Sequence, residues 1–143
     1  MELCLTDYAQ FRSPIFKPGF LWDKWPTVDF YVELLGVRQS RPFFLAQAKS
    51  TSVPLRRGAR SLAVRVSPRD AERLKRLPCP TYVFGIHEPT RRVFVRAVHA
   101  GSAQGFSRIP LANELTPTNL RTLHLEVQSF WRNLVGKPAH SRF

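Results

Sequence analysis

Seven residues, Thr81-Tyr82-Val83-Phe84-Gly85-Ile86-His87, form a nearly all-apolar run fenced by Pro78 and Pro80 before it and Pro89 after it. The run is too short for an ordinary helix and is rich in β-branched and aromatic residues, so it reads as a strand. A strand that is apolar at both odd and even positions has no face to give to water. It belongs at the centre of a sheet covered on both sides. That requires a layered domain, and 143 residues can bury one such core without help from a disulfide or a metal.

The flanking segments supply candidate layers. Val28 to Leu35 and Pro42 to Lys49 are two further strands, joined by a polar turn, and they predict an antiparallel hairpin. Ser61 to Val66 is a third short strand. Ser67-Pro68-Arg69-Asp70 then opens a helix: Ser67 can cap, Pro68 suits the first turn, and Asp70 stands where a capping-box acid would. That helix ends near Leu77, before the prolines. Arg92 to Val98 alternates with period two and reads as another strand. Thr116-Pro117 starts a last helix, with Leu120, Leu123, Val127, Phe130, Trp131 and Leu134 on one stripe. Residues 12–27, broken by Pro14, Pro18, Gly19 and Pro26, read as irregular, and residues 2–11 as one short helix. The pattern is an α/β or α+β domain with a mixed sheet of about five strands flanked by helices. The predicted division is an extension over 1–27, a core over 28–135 and a tail over 136–143.

Charge narrows the partners. Lys+Arg number 22 against 10 Asp+Glu, for a net charge of +12, and arginine dominates. That excludes a calcium buffer and favours a polyanion, nucleic acid before any other. The competing reading is an arginine-rich solvated surface. The cations are spread along the whole chain rather than along one amphipathic helix, which argues against a membrane surface. No apolar run reaches the ~18 residues of a span. The start, Met1 to Phe11, lacks a basic region followed by an apolar stretch, so no signal peptide is expected. Cys4 and Cys79 are too few for a disulfide framework, and a reduced, cytoplasmic setting is the expectation. The four histidines have no ligand spacing with the cysteines.

The chemistry-bearing group lies on the hairpin. Gln47 and Lys49, two apart, share a strand face, and Asp29 on the partner strand comes near them if the register allows. A carboxylate, an amide oxygen and an ammonium on one patch suit phosphodiester hydrolysis. Asp29 would hold Mg²⁺ or Mn²⁺, with Gln47 and the carbonyl of Ala48 adding neutral oxygens. Lys49 would orient the attacking water or stabilise the developing charge. Glu33, on the same strand face as Asp29, is a candidate second acid, two pleats away. Arg56, Arg57 and Arg60, one loop further on, read either as a phosphate clamp or as a solvated loop. Trp22 and Trp25 are read as packed on the sheet rather than as base-stacking groups.

Seventeen residues separate Asp29 from Gln47-Ala48-Lys49. This D…QxK hairpin resembles the PD-(D/E)xK nuclease superfamily in its QxK variant. The segments VDFYVEL, FFLAQAKST, LKRLPCPTYVFGI and LHLEVQSFW are similar to the bacterial family of unknown function numbered 4365. The resemblance covers about residues 27–132 and implies a restriction-endonuclease-like core. It implies Asp29 as metal ligand, Gln47 as the second ligand position and Lys49 as the catalytic lysine. Ser50 and Thr51 match the small polar pair that follows the lysine and would touch phosphate. The superfamily often carries an acid on the first helix, a place that only Glu2 or Asp7 could fill here.

Two functions follow. One is a Mg²⁺-dependent nuclease acting on DNA in bacterial defence, mobile-element biology or repair, with DNA favoured over RNA. The other is a catalytically degenerate nucleic-acid-binding or protein-interaction module on the same fold. A homodimer or a partner subunit is compatible with both.

Overall fold

The structure is a computed structural model, described over residues 5, 13–21, 25–38, 41–99 and 104–134. It is an α+β domain whose main sheet has five strands: β1 (Phe16–Phe20), β2 (Phe30–Leu34), β3 (Phe43–Thr51), β5 (Thr81–His87) and β6 (Arg92–Ala97), ordered β1-β2-β3-β5-β6. A second, two-stranded sheet pairs β4 (Ser61–Val66) with β7 (Phe106–Pro110). Two α-helices among the described residues flank the sheets, α1 (Pro68–Lys75) and α2 (Pro117–Leu134), and Leu111–Asn113 form a 3-10 turn before α2.

Strands β1, β2 and β3 form an antiparallel meander, β5 runs parallel to β3, and β6 is antiparallel to β5. The sheet is therefore mixed, with β3 and β5 at its centre. The parallel step between them needs a crossover. Strand β4 and α1 provide it, and α1 starts as its sequence indicates: the N–H of Asp70 donates to Ser67 Oγ at 3.1 Å.

The central run is covered on both sides. On one face Phe44, Ala46, Tyr82 and Phe84 pack under Leu120, Leu123 and Val127 of α2. On the other, Leu45, Val83 and Phe94 pack under Ala71 and Leu74 of α1 and Leu62, Val64 and Ile109 of the small sheet. Gly85 makes the second contact close. A Cβ there would lie 2.9–3.0 Å from side-chain atoms of Ile109, Leu62 and Val64.

Several parts of the sequence reading are corrected. The strand count is right but its membership differs. Ser61–Val66 leaves the main sheet for a layer of its own, and β1 takes its place. β1 lies inside the stretch read as irregular, because Pro18 and Gly19 disguise it. An edge strand tolerates both residues, since one of its sides needs no hydrogen bonds. Likewise β7 lies within a predicted loop. Trp25, expected to pack on the sheet, does so only in part: it borders an apolar pocket with Tyr31, Phe43 and Leu45 but stays 51% exposed. Of the predicted helix over 2–11 only Leu5, helical and buried, is among the described residues; Glu2, Asp7, Cys4 and Trp22 lie outside them.

Candidate nucleic-acid interface

Asp29 stands just before β2 and is clasped to β3. Its N–H donates to the carbonyl of Ala46 at 2.9 Å, and its Oδ2 accepts the N–H of Ala48 at 2.7 Å. The carboxylate thus replaces the backbone acceptor that β2 would have offered had it run one residue longer. The backbone of β3 alternates its hydrogen-bonding edge. Leu45 and Thr51 bond to the segment around β5, while Ala46 and Ala48 face β2. The carbonyl of Ala48 leaves on the same edge as its N–H, the Asp29 side. The hairpin register, Phe30 opposite Ala46, is what brings the two together.

Gln47 and Lys49 alternate onto the face covered by α1 and the small sheet, beside Val83 and Gly85 of β5. Gln47 is 5% exposed and its Oε1 has no hydrogen-bond partner. Such a group costs about 1–3 kcal/mol, so it is a feature that stability alone does not favour. Lys49 is half-buried, toward the strand end.

The turn feeding Asp29 is a feature that sequence reading missed. Thr27 has φ = 76°, a left-handed conformation that is strained for a β-branched residue. Its hydroxyl donates to Asp70 Oδ1 at 3.4 Å and accepts from Arg73 Nη1 at 3.5 Å, both on α1. Val28 is buried against Leu74 in the same core. Helix α1 thereby fixes the entry to Asp29 and ties Arg73 to a residue two positions before it in the chain. No local pattern marks Thr27, because the strain is imposed by a helix more than 40 residues away.

Other predicted residues lie apart from this clasp. Glu33 sits four residues along, roughly 13 Å at strand rise, opposite Phe43 and 4.0 Å from Arg41. Ser50 is exposed and alternates to the opposite face from Lys49. The Thr51 hydroxyl accepts the N–H of Val53 at 3.2 Å, which turns the chain into the following loop. In that loop Arg56 and Arg57 join Arg108 of β7 around an open depression of about 490 Å³, whose walls include neither Asp29 nor Lys49. Arg60 is exposed on the same loop. His87, fully buried at the end of β5, ties the loop down through Nε2 to the carbonyl of Val53 at 3.1 Å.

The superfamily resemblance implies a divalent cation at the clasp. The donors there are the Asp29 carboxylate, with Oδ2 already bound to Ala48 N–H, the Ala48 carbonyl and the Gln47 amide. Among the described residues no three acids, histidines or cysteines gather to hold a metal. Asp29 is the one carboxylate among the described residues of the clasp, and a neutral amide stands where a second would add charge. The described residues thus offer a cation one carboxylate and neutral oxygens, and no catalytic step through a metal is derived from them.

Part of the charge is clustered. From Lys49 to Arg76 the chain carries nine cations against two acids. Seven arginines among them, Arg56, Arg57, Arg60, Arg65, Arg69, Arg73 and Arg76, are exposed. The ion pairs among the described residues are Arg41–Glu33, Arg76–Glu72, Arg92–Glu114 and His99–Glu126, and they engage one of the seven. The crossover layer thus presents arginines largely unneutralised by nearby acids.

No family model, no curated protein and no solved structure matches the chain. The meander with a parallel fourth strand and flanking helices is consistent with a generic PD-(D/E)xK-like fold. Among the described residues no helix is long and apolar enough to cross a membrane.

Proposed function

We propose that this protein is a nucleic-acid-binding module on a nuclease-like scaffold, with hydrolysis lost or reduced. The observation that carries the reading is the crossover layer. The loop after β3, strand β4 and helix α1 with its C-cap expose seven arginines, and among the described residues only Arg76 of these has an acidic ion-pair partner. Phosphate contacts need cations available in this way, and guanidinium groups make them bidentate. The depression between Arg56, Arg57 and Arg108 is a place for the backbone. DNA is the first target to test and RNA the second. Fluorescence anisotropy with labelled DNA and RNA, in EDTA and over a range of salt, measures the binding. Affinity should fall steeply with salt. Arg56→Glu/Arg57→Glu should reduce the slope of log K against log salt by about 0.9 for each duplex-DNA phosphate that is no longer neutralised. Absence of binding to either polymer at low salt would refute the reading and point to a protein partner.

A second reading, Mg²⁺-dependent hydrolysis, is favoured by one observation: the buried, unpartnered Oε1 of Gln47 beside the Asp29 clasp. A plasmid-cleavage assay with Mg²⁺ or Mn²⁺ decides between them. Cleavage that disappears in both Asp29→Ala and Lys49→Ala establishes hydrolysis at this site.

A further inference from the structure

On the opposite face of the main sheet from Gln47, a cavity of about 200 Å³ opens beside α2, over β5 and β6. Tyr82, Asn113, Asn119, Thr122 and Glu126 form its polar walls, and Val95 and Ala97 of β6 contribute an apolar floor. The hydrogen bonds of the walls decide the polarity it offers. Asn119 uses its amide N–H groups, donating from Nδ2 to the carbonyls of Ala112 at 2.9 Å and Glu114 at 2.7 Å. Asn113 Nδ2 donates to the carbonyl of Val95 at 3.0 Å. Carbonyls only accept, so both amides have a fixed orientation and each keeps its Oδ1 as an acceptor. The Thr122 hydroxyl donates to the carbonyl of Thr118 at 3.1 Å, leaving its lone pairs.

Tyr82 donates its phenol proton to Glu126 Oε1 at 2.8 Å. Burial and this hydrogen bond to Glu126 raise the Tyr82 pKa far above the usual phenol range. His99 Nε2 stands 3.9 Å from the same Oε1. The polar walls therefore present acceptors and one carboxylate, and the only side-chain N–H left over in them is the second one of Asn113. That is the reverse of a surface with net charge +12.

We infer that this cavity binds a small organic cation, a primary ammonium group on a short alkyl stem, with Glu126 and Asn119 Oδ1 accepting its N–H donors. An ammonium offers three donors and no acceptor, which complements these walls. Val95 and Ala97 take the stem. The volume, below the ~300–1,000 Å³ of sites for drug-sized ligands, limits the ligand to a few carbons at the bound end. The inference does not depend on nucleic-acid binding, which uses the other face.

Amide NMR titration of the full chain with n-butylammonium, and with n-butanol at matched ionic strength, tests it. Butylammonium should shift the resonances of Asn119, Thr122 and Tyr82, and butanol should not. Glu126→Gln, which can still accept the Tyr82 bond, should keep the melting temperature and weaken binding by about tenfold or more, as a charge-assisted contact becomes neutral. Thr122→Val, a change of similar shape on the helix surface, should weaken it less. Spermidine binding more tightly than Nα-acetyl-lysine amide would identify a free polyamine as the source of the cation. The reverse order would identify a lysine of a partner protein. Equal response to butanol, or unchanged affinity in Glu126→Gln, would overturn the inference.

Discussion

Gln47 should be a site where replacing the native residue makes the protein more stable. Its side chain is 5% exposed and its Oε1 has no hydrogen-bond partner. An unsatisfied buried acceptor costs about 1–3 kcal/mol. Gln47→Met keeps the length, removes the polar atoms and places a flexible apolar chain among Leu45 and Val83. A shape-conserving core swap itself costs under ~1.5 kcal/mol. The expected net gain is about 1 kcal/mol, or about 3 °C in melting temperature for a chain of this size. Urea unfolding followed by tryptophan fluorescence should show a raised midpoint with an unchanged slope. A midpoint equal to or below wild type would refute the reasoning, because it would mean that the amide oxygen is satisfied in the folded protein. Gln47→Glu should act in the opposite direction. Burial raises the folded pKa of a carboxyl group. Its stability is then retained below the unfolded value of ~4.3 and lost as pH rises through the folded one.

Three further outcomes are expected. Arg92 binds Glu114 through Nε to Oε1 at 2.8 Å and Nη2 to Oε2 at 2.6 Å, which lowers the Glu114 pKa from its ordinary 4.5. The stability of this pair is present above that value and lost as pH falls through the depressed one; in Glu114→Gln, acid melting curves should lose that component, about 1 kcal/mol or less after solvent screening. Burial raises the Cys79 thiol to about 11, so in a Cys4→Ser background Cys79 should resist Ellman's reagent at about pH 8 in the native protein and react on unfolding. Gly85→Ala should cost about 1–3 kcal/mol by calorimetry, because its Cβ would press on Leu62, Val64 and Ile109 and displace the small sheet.

Local pattern was sufficient where one segment carried its own boundary signals. Thr81–His87 is apolar at nearly every position and fenced by prolines, so its central, doubly covered place follows from its own composition. The start of α1 was equally legible, because Ser67, Pro68 and Asp70 supply the cap within four residues. For α2, Leu120, Leu123 and Val127 mark the buried stripe. Of the candidate site, the residue types and the hairpin that relates Asp29 to Gln47 and Lys49 were readable from sequence.

What the tertiary structure alone decided is which segments share a sheet and which charges share a surface. Nothing local distinguishes β4, which leaves the main sheet, from β1, which joins it, since partner choice depends on faces buried by distant elements. The left-handed turn at Thr27 is held by Asp70 and Arg73 from another part of the chain. Arg56 and Arg57 of the 52–60 loop line a depression with Arg108 and apart from Asp29, because β7 pairs with β4. Sequence alone determined a basic, layered α+β domain with a D…QxK hairpin. Only packing over long chain separations sealed Gln47 without a partner for its Oε1 and brought Arg108 beside Arg56 and Arg57.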